Sequence, residues 1–207
     1  MKEGTGLTKE ELAKRLTNAC QEIKSIENEL NEIDARFGDA DHGLTMAKIA
    51  TVIEEAVKSD EGSVKDMLSK CAAAVNNVGG GSAIPLWGSW LDGMVDGTPE
   101  GDELSIKDIQ AIFASGFEML DFMSGAQVGD KTLMDAAIPA SEAIAAYAGD
   151  SEDELFAAAA AAAAEGAEKT KEFPSKFGRA KYYGKQTIGT ADAGALSMAA
   201  FFKGLAL

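Results

Sequence analysis

Histidine is almost missing from this sequence: His42 is the only one. Cysteine occurs twice, at Cys20 and Cys71, and both fall on apolar helical stripes. A pair placed in this way is expected to be reduced and packed in the core, which argues against a disulfide or a zinc site. Basic residues are scarce, with 19 Lys and Arg against 34 Asp and Glu and a formal net charge of −15. That deficit argues against nucleic acid or an anionic membrane as a partner held by bulk electrostatics. An anionic ligand would need a local positive device, such as a metal ion or helix N-termini. No apolar run reaches membrane-spanning length, and Met1–Gly6 is polar, so no secretory signal is read and the cytoplasm is the expected compartment. No stretch sustains strand alternation, and no fixed-period repeat is evident.

What the sequence does have is helical periodicity. Thr8 and Glu11 form a capping box ahead of Leu12, Leu16, Ala19, Ile23, Ile26, Leu30, Ile33 and Phe37, which predicts one long amphipathic helix. Gly38 is its expected left-handed cap. A second helix is marked by Met46, Ile49, Ile53 and Val57, and a third is capped by Ser63. Ser82 is the expected N-cap of a fourth, with Pro85 in its first turn and an apolar surface nearly all round. Asp96–Leu104 is a polar loop, and Ser105 opens a fifth helix. A sixth runs from Leu133 to Tyr147, with a kink expected at Pro139. Ser151 and Glu154 form a capping box for a seventh helix through the alanine run Ala157–Ala164, closed by Pro174. A long irregular segment, Pro174–Gly194, precedes a last helix from about Ala195. The expectation is a single all-α domain over residues 1–207, an eight-helix antiparallel up-and-down barrel or bundle.

In that topology the first, third, fifth and seventh connections emerge at one end. They are Gly38–Gly43, Gly79–Ser82, Gly125–Thr132 and Pro174–Gly194, the glycine-bearing ones. The first is the densest in chemistry: Gly38-Asp39-Ala40-Asp41-His42-Gly43, with Asp34 just before it. Acidic side chains at a helix C-terminus are disfavoured unless something positive offsets them, and an all-oxygen set suits a hard cation. The alternative is a solvated acidic turn. The spacing matches no EF-hand, and the ligand type disfavours zinc. Val78-Gly79-Gly80-Gly81-Ser82 is either a plain interhelical turn or a phosphate cradle at a helix N-terminus. Gly129-Asp130-Lys131-Thr132 lacks the spacing of a Walker A loop. Arg179 is either an exposed loop residue or a bidentate phosphate ligand, and Trp87 and Trp90 are expected in the core.

Taken together these motifs, with Gly178-Arg179-Ala180, Thr187-Ile188-Gly189 and Asp192-Ala193-Gly194, resemble the L subunit of bacterial dihydroxyacetone kinase, its ADP-binding subunit. The resemblance implies ADP or ATP bound at one end of the barrel through two Mg2+. Asp34, Asp39 and Asp41 would be the metal ligands. His42, Gly43, Leu44, Thr45, Gly81, Ser82, Gly125, Leu133, Arg179, Asp192, Ala193 and Gly194 would contact the nucleotide. Thr45 stands where asparagine is common in the family, Ala83 where glycine is, Leu133 where methionine is and Ala193 where proline is. The implied activity is phosphoryl transfer to dihydroxyacetone held on a K subunit, with recharging by a phosphotransferase-system M subunit and no general base in this chain. An ATP-dependent kinase for dihydroxyacetone or another hydroxy-ketone, a non-catalytic nucleotide or metal sensor, and a homodimer stay open at this point.

Overall fold

The computed structural model describes residues 6–59 and 62–207. Met1–Thr5, part of the polar leading segment considered above, lie outside the described residues. The described residues form nine α-helices: α1 (Lys9–Ser25), α2 (Glu27–Asp34), α3 (His42–Lys58), α4 (Val64–Asn76), α5 (Ala83–Gly97), α6 (Ile106–Ser124), α7 (Met134–Ala146), α8 (Glu152–Lys169) and α9 (Ala193–Leu205). Two residue pairs, β1 (Leu7–Thr8) and β2 (Glu103–Leu104), add a minimal antiparallel ladder that joins the chain start to the α5–α6 loop.

α1 and α2 are the two halves of the single predicted first helix, so eight rods result. The interruption is at Ile26 (φ −109°, ψ 14°), where the Ser25 hydroxyl donates to the Glu22 carbonyl at 2.7 Å. A hydroxyl bonding back into the last turn competes with the backbone ladder and bends the rod. The apolar stripe continues across the break, with Ile23 and Leu30 both fully buried.

Consecutive rods pack side by side from α1 through α9, and α9 packs back on α1, which closes the ring. The closing seam is tight because Gly204 lies against the backbone of Ala19, where a Cβ would not fit. Arg15 donates to the Leu205 carbonyl at 2.6 Å and Asn18 to that of Leu207 at 2.9 Å. Inside, Trp87, Trp90, Phe113, Phe156, Phe201 and Phe202 form one aromatic cluster, with Trp90 and Phe201 centroids 5.1 Å apart. Each such side chain is worth roughly 1.5–3 kcal/mol when fully removed from water. The two tryptophans are core, as expected. Three of the predicted caps form full capping boxes: Thr8 with Glu11, Ser63 with Asp66, and Ser105 with Asp108. Ser151 accepts from the Glu154 amide, but the Glu154 carboxylate accepts the Tyr147 hydroxyl instead of closing the box.

Some local expectations are corrected. Gly38 is not left-handed; Ala40 is, at φ 63°. Ser82 has helical backbone angles and makes no side-chain cap. α3 starts at His42, four residues before its first predicted apolar position, and α9 starts at Ala193. The segment after Pro174 is less irregular than expected, with single 3-10 turns at Arg179–Tyr182 and Gly184–Thr187.

Candidate functional site

Four connections meet at one end of the ring: 35–41, 77–82, 125–133 and 170–192. In the first, the Asp34 carboxylate accepts the Asp41 amide at 3.1 Å and so curls the chain back on the end of α2. A Cβ on Gly38 would meet the Asp34 carboxylate, which would have to shift from its place on the Asp41 amide. The outcome is that oxygens of Asp34, Asp39 and Asp41 all lie within 4.8 Å of one another. Three mutually repelling carboxylates gathered this closely form a donor set for a hard divalent cation, and the residues fit such an ion. Arg179, mostly exposed, reaches across from the last connection and pairs with Asp39.

The segment that follows is locked to α2. Asn31 accepts the Leu44 amide at 3.1 Å, and Gly43 sits so close to the Glu27 carbonyl that no side chain fits. His42 faces inward: its Nε2 is 3.1 Å from the Ser197 hydroxyl. Burial disfavours the imidazolium and lowers the His42 pKa, although Asp34 and Asp41 pull the other way. The ring therefore ties the start of α3 to the start of α9.

The other predicted residues arrange themselves around this centre. Gly81 approaches Thr45, Gly194 approaches the Leu133 amide, and Gly125 caps α6 in the left-handed conformation at φ 61°. Asp192 caps α9 by accepting the Ala195 amide at 2.8 Å, and burial pushes its carboxyl up to about 7. Ser82 and Gly125 are exposed, as is Leu44. Leu44 also borders a shallow depression of about 350 Å3 on the flank of α3, lined by Lys48, Thr51, Val52 and Val78 among others.

Several residues that build the mouth escaped sequence reasoning. Ser197 and Asn31 sit mid-helix with no local signal. Asp135 accepts the amides of Gly129 (2.6 Å) and Thr132 (2.7 Å), and so shapes the third of these turns. The spacing Thr132-x-x-Asp135 is the local signal for this turn, since the Asp135 carboxylate accepts the Thr132 amide. Phe37 packs on Tyr183 with the rings tilted and their centroids 5.2 Å apart, and Arg36 reaches the Thr190 hydroxyl at 3.4 Å.

A closed ring of eight helical rods, with an oxygen-donor cluster and an arginine at one mouth, defines an all-helical module with a candidate ligand site at one end. Residues 36–207 match the DAK2 domain, and the chain belongs to that family. It is 29% identical over 195 residues to the ADP-binding subunit DhaL of the PEP-dependent dihydroxyacetone kinase of Escherichia coli, covering 91% of each chain. It is 34% identical over 186 residues to L-erythrulose 1-kinase of Mycolicibacterium smegmatis, covering 86% of this chain and 32% of that one. It thus spans about a third of the length of that enzyme and of the D-erythrulose kinase of the same organism. Among solved structures, dihydroxyacetone kinase of C. freundii in complex with AMP-PNP and Mg2+ superposes with a TM-score of 0.72 at 25% identity, covering 94% of this chain and 33% of that one. The family read from the motifs is borne out, and so is the helical fold.

Proposed function

We propose that this chain is the nucleotide-binding subunit of a phosphotransferase, holding Mg-ADP or Mg-ATP at the mouth and serving dihydroxyacetone carried by a K-type partner subunit. The observation that carries this reading is the gathering of Asp34, Asp39 and Asp41 within 4.8 Å, immediately before the N-terminus of α3 and beside Arg179. These three carboxylates would hold two Mg2+. Magnesium bound there supplies charge neutralisation for a polyphosphate, which phosphoryl transfer needs more than covalent help from protein.

The chain's own contribution is positioning. α3, α5, α7 and α9 all begin at the mouth, so four helix N-termini present partial positive charge to it on a strongly acidic protein. The proposed contacts His42–Thr45, Gly81–Ser82, Leu133 and Asp192–Gly194 fall at those four starts, and Gly125 caps the end of α6. The Arg179 guanidinium, paired with Asp39 here, is long and exposed enough to take a phosphate bidentately. No residue at the mouth is assigned as general base; the acceptor chemistry belongs to the partner. Phe122, Val128, Tyr182 and Ile188 stand exposed in or next to the mouth connections, and exposed apolar side chains of this kind fit a docking partner.

Calorimetric titration with ADP and magnesium tests the ligand assignment. Asp39→Asn and Asp41→Asn are each expected to weaken magnesium-dependent binding by at least about tenfold, roughly 1.4 kcal/mol, with helical content unchanged. Normal binding by either variant overturns it. Sequence similarity to the E. coli ADP-binding subunit supports tightly held ADP, recharged by a phosphocarrier M subunit. Stoichiometric ADP released on denaturation after long dialysis is the expected result, and its absence favours exchanging ATP. The identity with L-erythrulose 1-kinase supports a second reading, a four-carbon hydroxy-ketone acceptor. Parallel assays of dihydroxyacetone and erythrulose with a reconstituted partner separate the two.

A further inference from the structure

Lys131 is buried, only 4% exposed, although it belongs to the connection between α6 and α7 at the mouth. Its ammonium is 2.6 Å from the Thr170 carbonyl, 3.2 Å from that of Phe173, 3.0 Å from that of Thr187 and 2.5 Å from that of Thr190. Thr170 and Phe173 lie on the outgoing side of the α8–α9 connection, and Thr187 and Thr190 on the returning side. The amine thus sits in the neck of a long loop and bonds both sides of it. An ammonium carries three donors, so four converging carbonyls form an oxygen cage that nothing apolar can fill without leaving acceptors unpaired.

The side chain arrives there at a cost. Lys131 has a left-handed backbone, φ 61°, which is uncommon outside glycine and asparagine and disfavoured by roughly 1–2 kcal/mol. Asp135 holds that turn in place through the Gly129 and Thr132 amides. Burial lowers the Lys131 pKa, opposed by Asp192 and Asp135. Between the two sides of the neck the loop carries Lys176, Arg179, Lys181 and Lys185 and no acidic residue from 174 to 189. Arg179 is the residue from this loop that reaches Asp39.

We propose that Lys131 is a positioning residue, a clasp whose ammonium closes the loop neck and thereby sets Arg179 and the start of α9 at the mouth. Its effect on ligand affinity rests on the nucleotide reading above; its effect on loop order does not, and is measured without nucleotide. The full chain is compared with Lys131→Ala and Lys131→Met by limited trypsin digestion with mass spectrometry. Cleavage after Lys176, Arg179, Lys181 or Lys185 is expected to accelerate by at least about tenfold in both, with circular dichroism and cleavage elsewhere unchanged. n-Propylamine, which replaces the atoms removed from Lys131→Ala, is expected to slow that cleavage in the alanine variant and to restore its binding of Mg-ADP. In Lys131→Met the cage is occupied, and the amine is expected to do nothing. Unchanged loop cleavage in both variants overturns the proposal, as does an amine without effect on Lys131→Ala. An alanine variant that stays unfolded even when refolded with propylamine makes Lys131 part of the global core and overturns it equally. Amine-dependent loop protection in a protein that binds no Mg-ADP upholds the clasp and counts against the nucleotide reading alone.

Discussion

Asp192 is held in a place that suits its neutral form. Its carboxyl caps α9 while burial raises its pKa from 3.8 to about 7. Because the fold favours the protonated group, the stability it contributes is whole below its ordinary value and is lost as pH rises through about 7. Asn caps a helix as well as Asp and does not titrate. Asp192→Asn is therefore expected to match the parent near pH 4 and to exceed it by on the order of 2–4 kcal/mol near pH 8. Urea midpoints across that range, without nucleotide or magnesium, check this; parallel profiles for the two proteins refute it. Gly43 illustrates a different residue-scale constraint. Gly43→Ala would drive a methyl into the Glu27 carbonyl, where overpacking costs roughly 1–3 kcal/mol. A lowered melting temperature with weaker Mg-ADP binding is the expected pair of results. Neither the close approach at Gly43 nor the one at Gly38 is visible in the sequence, where both glycines read as turn or cap residues.

Among the elements, helix starts differ between the two ends of the ring, except that α9 at the mouth is capped by Asp192. Thr8, Ser63 and Ser105 cap their helices with full reciprocal boxes, and β1 with β2 and the Lys9 amide on the Asp102 carbonyl pin that end of the ring. At the mouth, Asp41, Ser82 and Leu133 precede α3, α5 and α7 without capping them by side chain. The Leu44 amide of α3 is taken by Asn31 at 3.1 Å and the Met134 amide of α7 by the Thr132 hydroxyl at 3.2 Å, so side chains outside the cap position satisfy part of these starts. Ser63→Ala is accordingly expected to lower stability by about 1 kcal/mol, the usual loss for a cap. Ser82→Ala is expected to leave the melting temperature unchanged and to weaken nucleotide binding. A destabilised Ser82→Ala chain would show that the hydroxyl serves the fold. The caps at the closed end were readable because each is a contact within four residues. Ser82 departs from its expected cap for the same reason: a serine before a proline-containing helix satisfies the local rule, and the local rule says nothing of ligands.

For the molecule as a whole, ring closure decides what can be a site. α9 closes the ring against α1, with Gly204 on the Ala19 backbone, and its other end brings Ser197 to His42 at the start of α3. Gly204→Val is expected to lower the melting temperature by several degrees and to loosen the α1–α9 seam, which hydrogen exchange of those two helices measures. The sequence by itself determined the helical class, the number of rods and three of the caps, because amphipathic period and capping are local and repeat every turn. It also put Asp34, Asp39 and Asp41 into eight consecutive positions, while the curl that gathers their oxygens comes from the Asp41 amide on the Asp34 carboxylate. Only the tertiary structure decided that Arg179 stands at Asp39, that His42 turns inward to Ser197, and that Lys131 crosses into the neck of another loop. Those contacts join residues dozens to more than a hundred positions apart, and their geometry follows from the packing of whole helices around a closed ring.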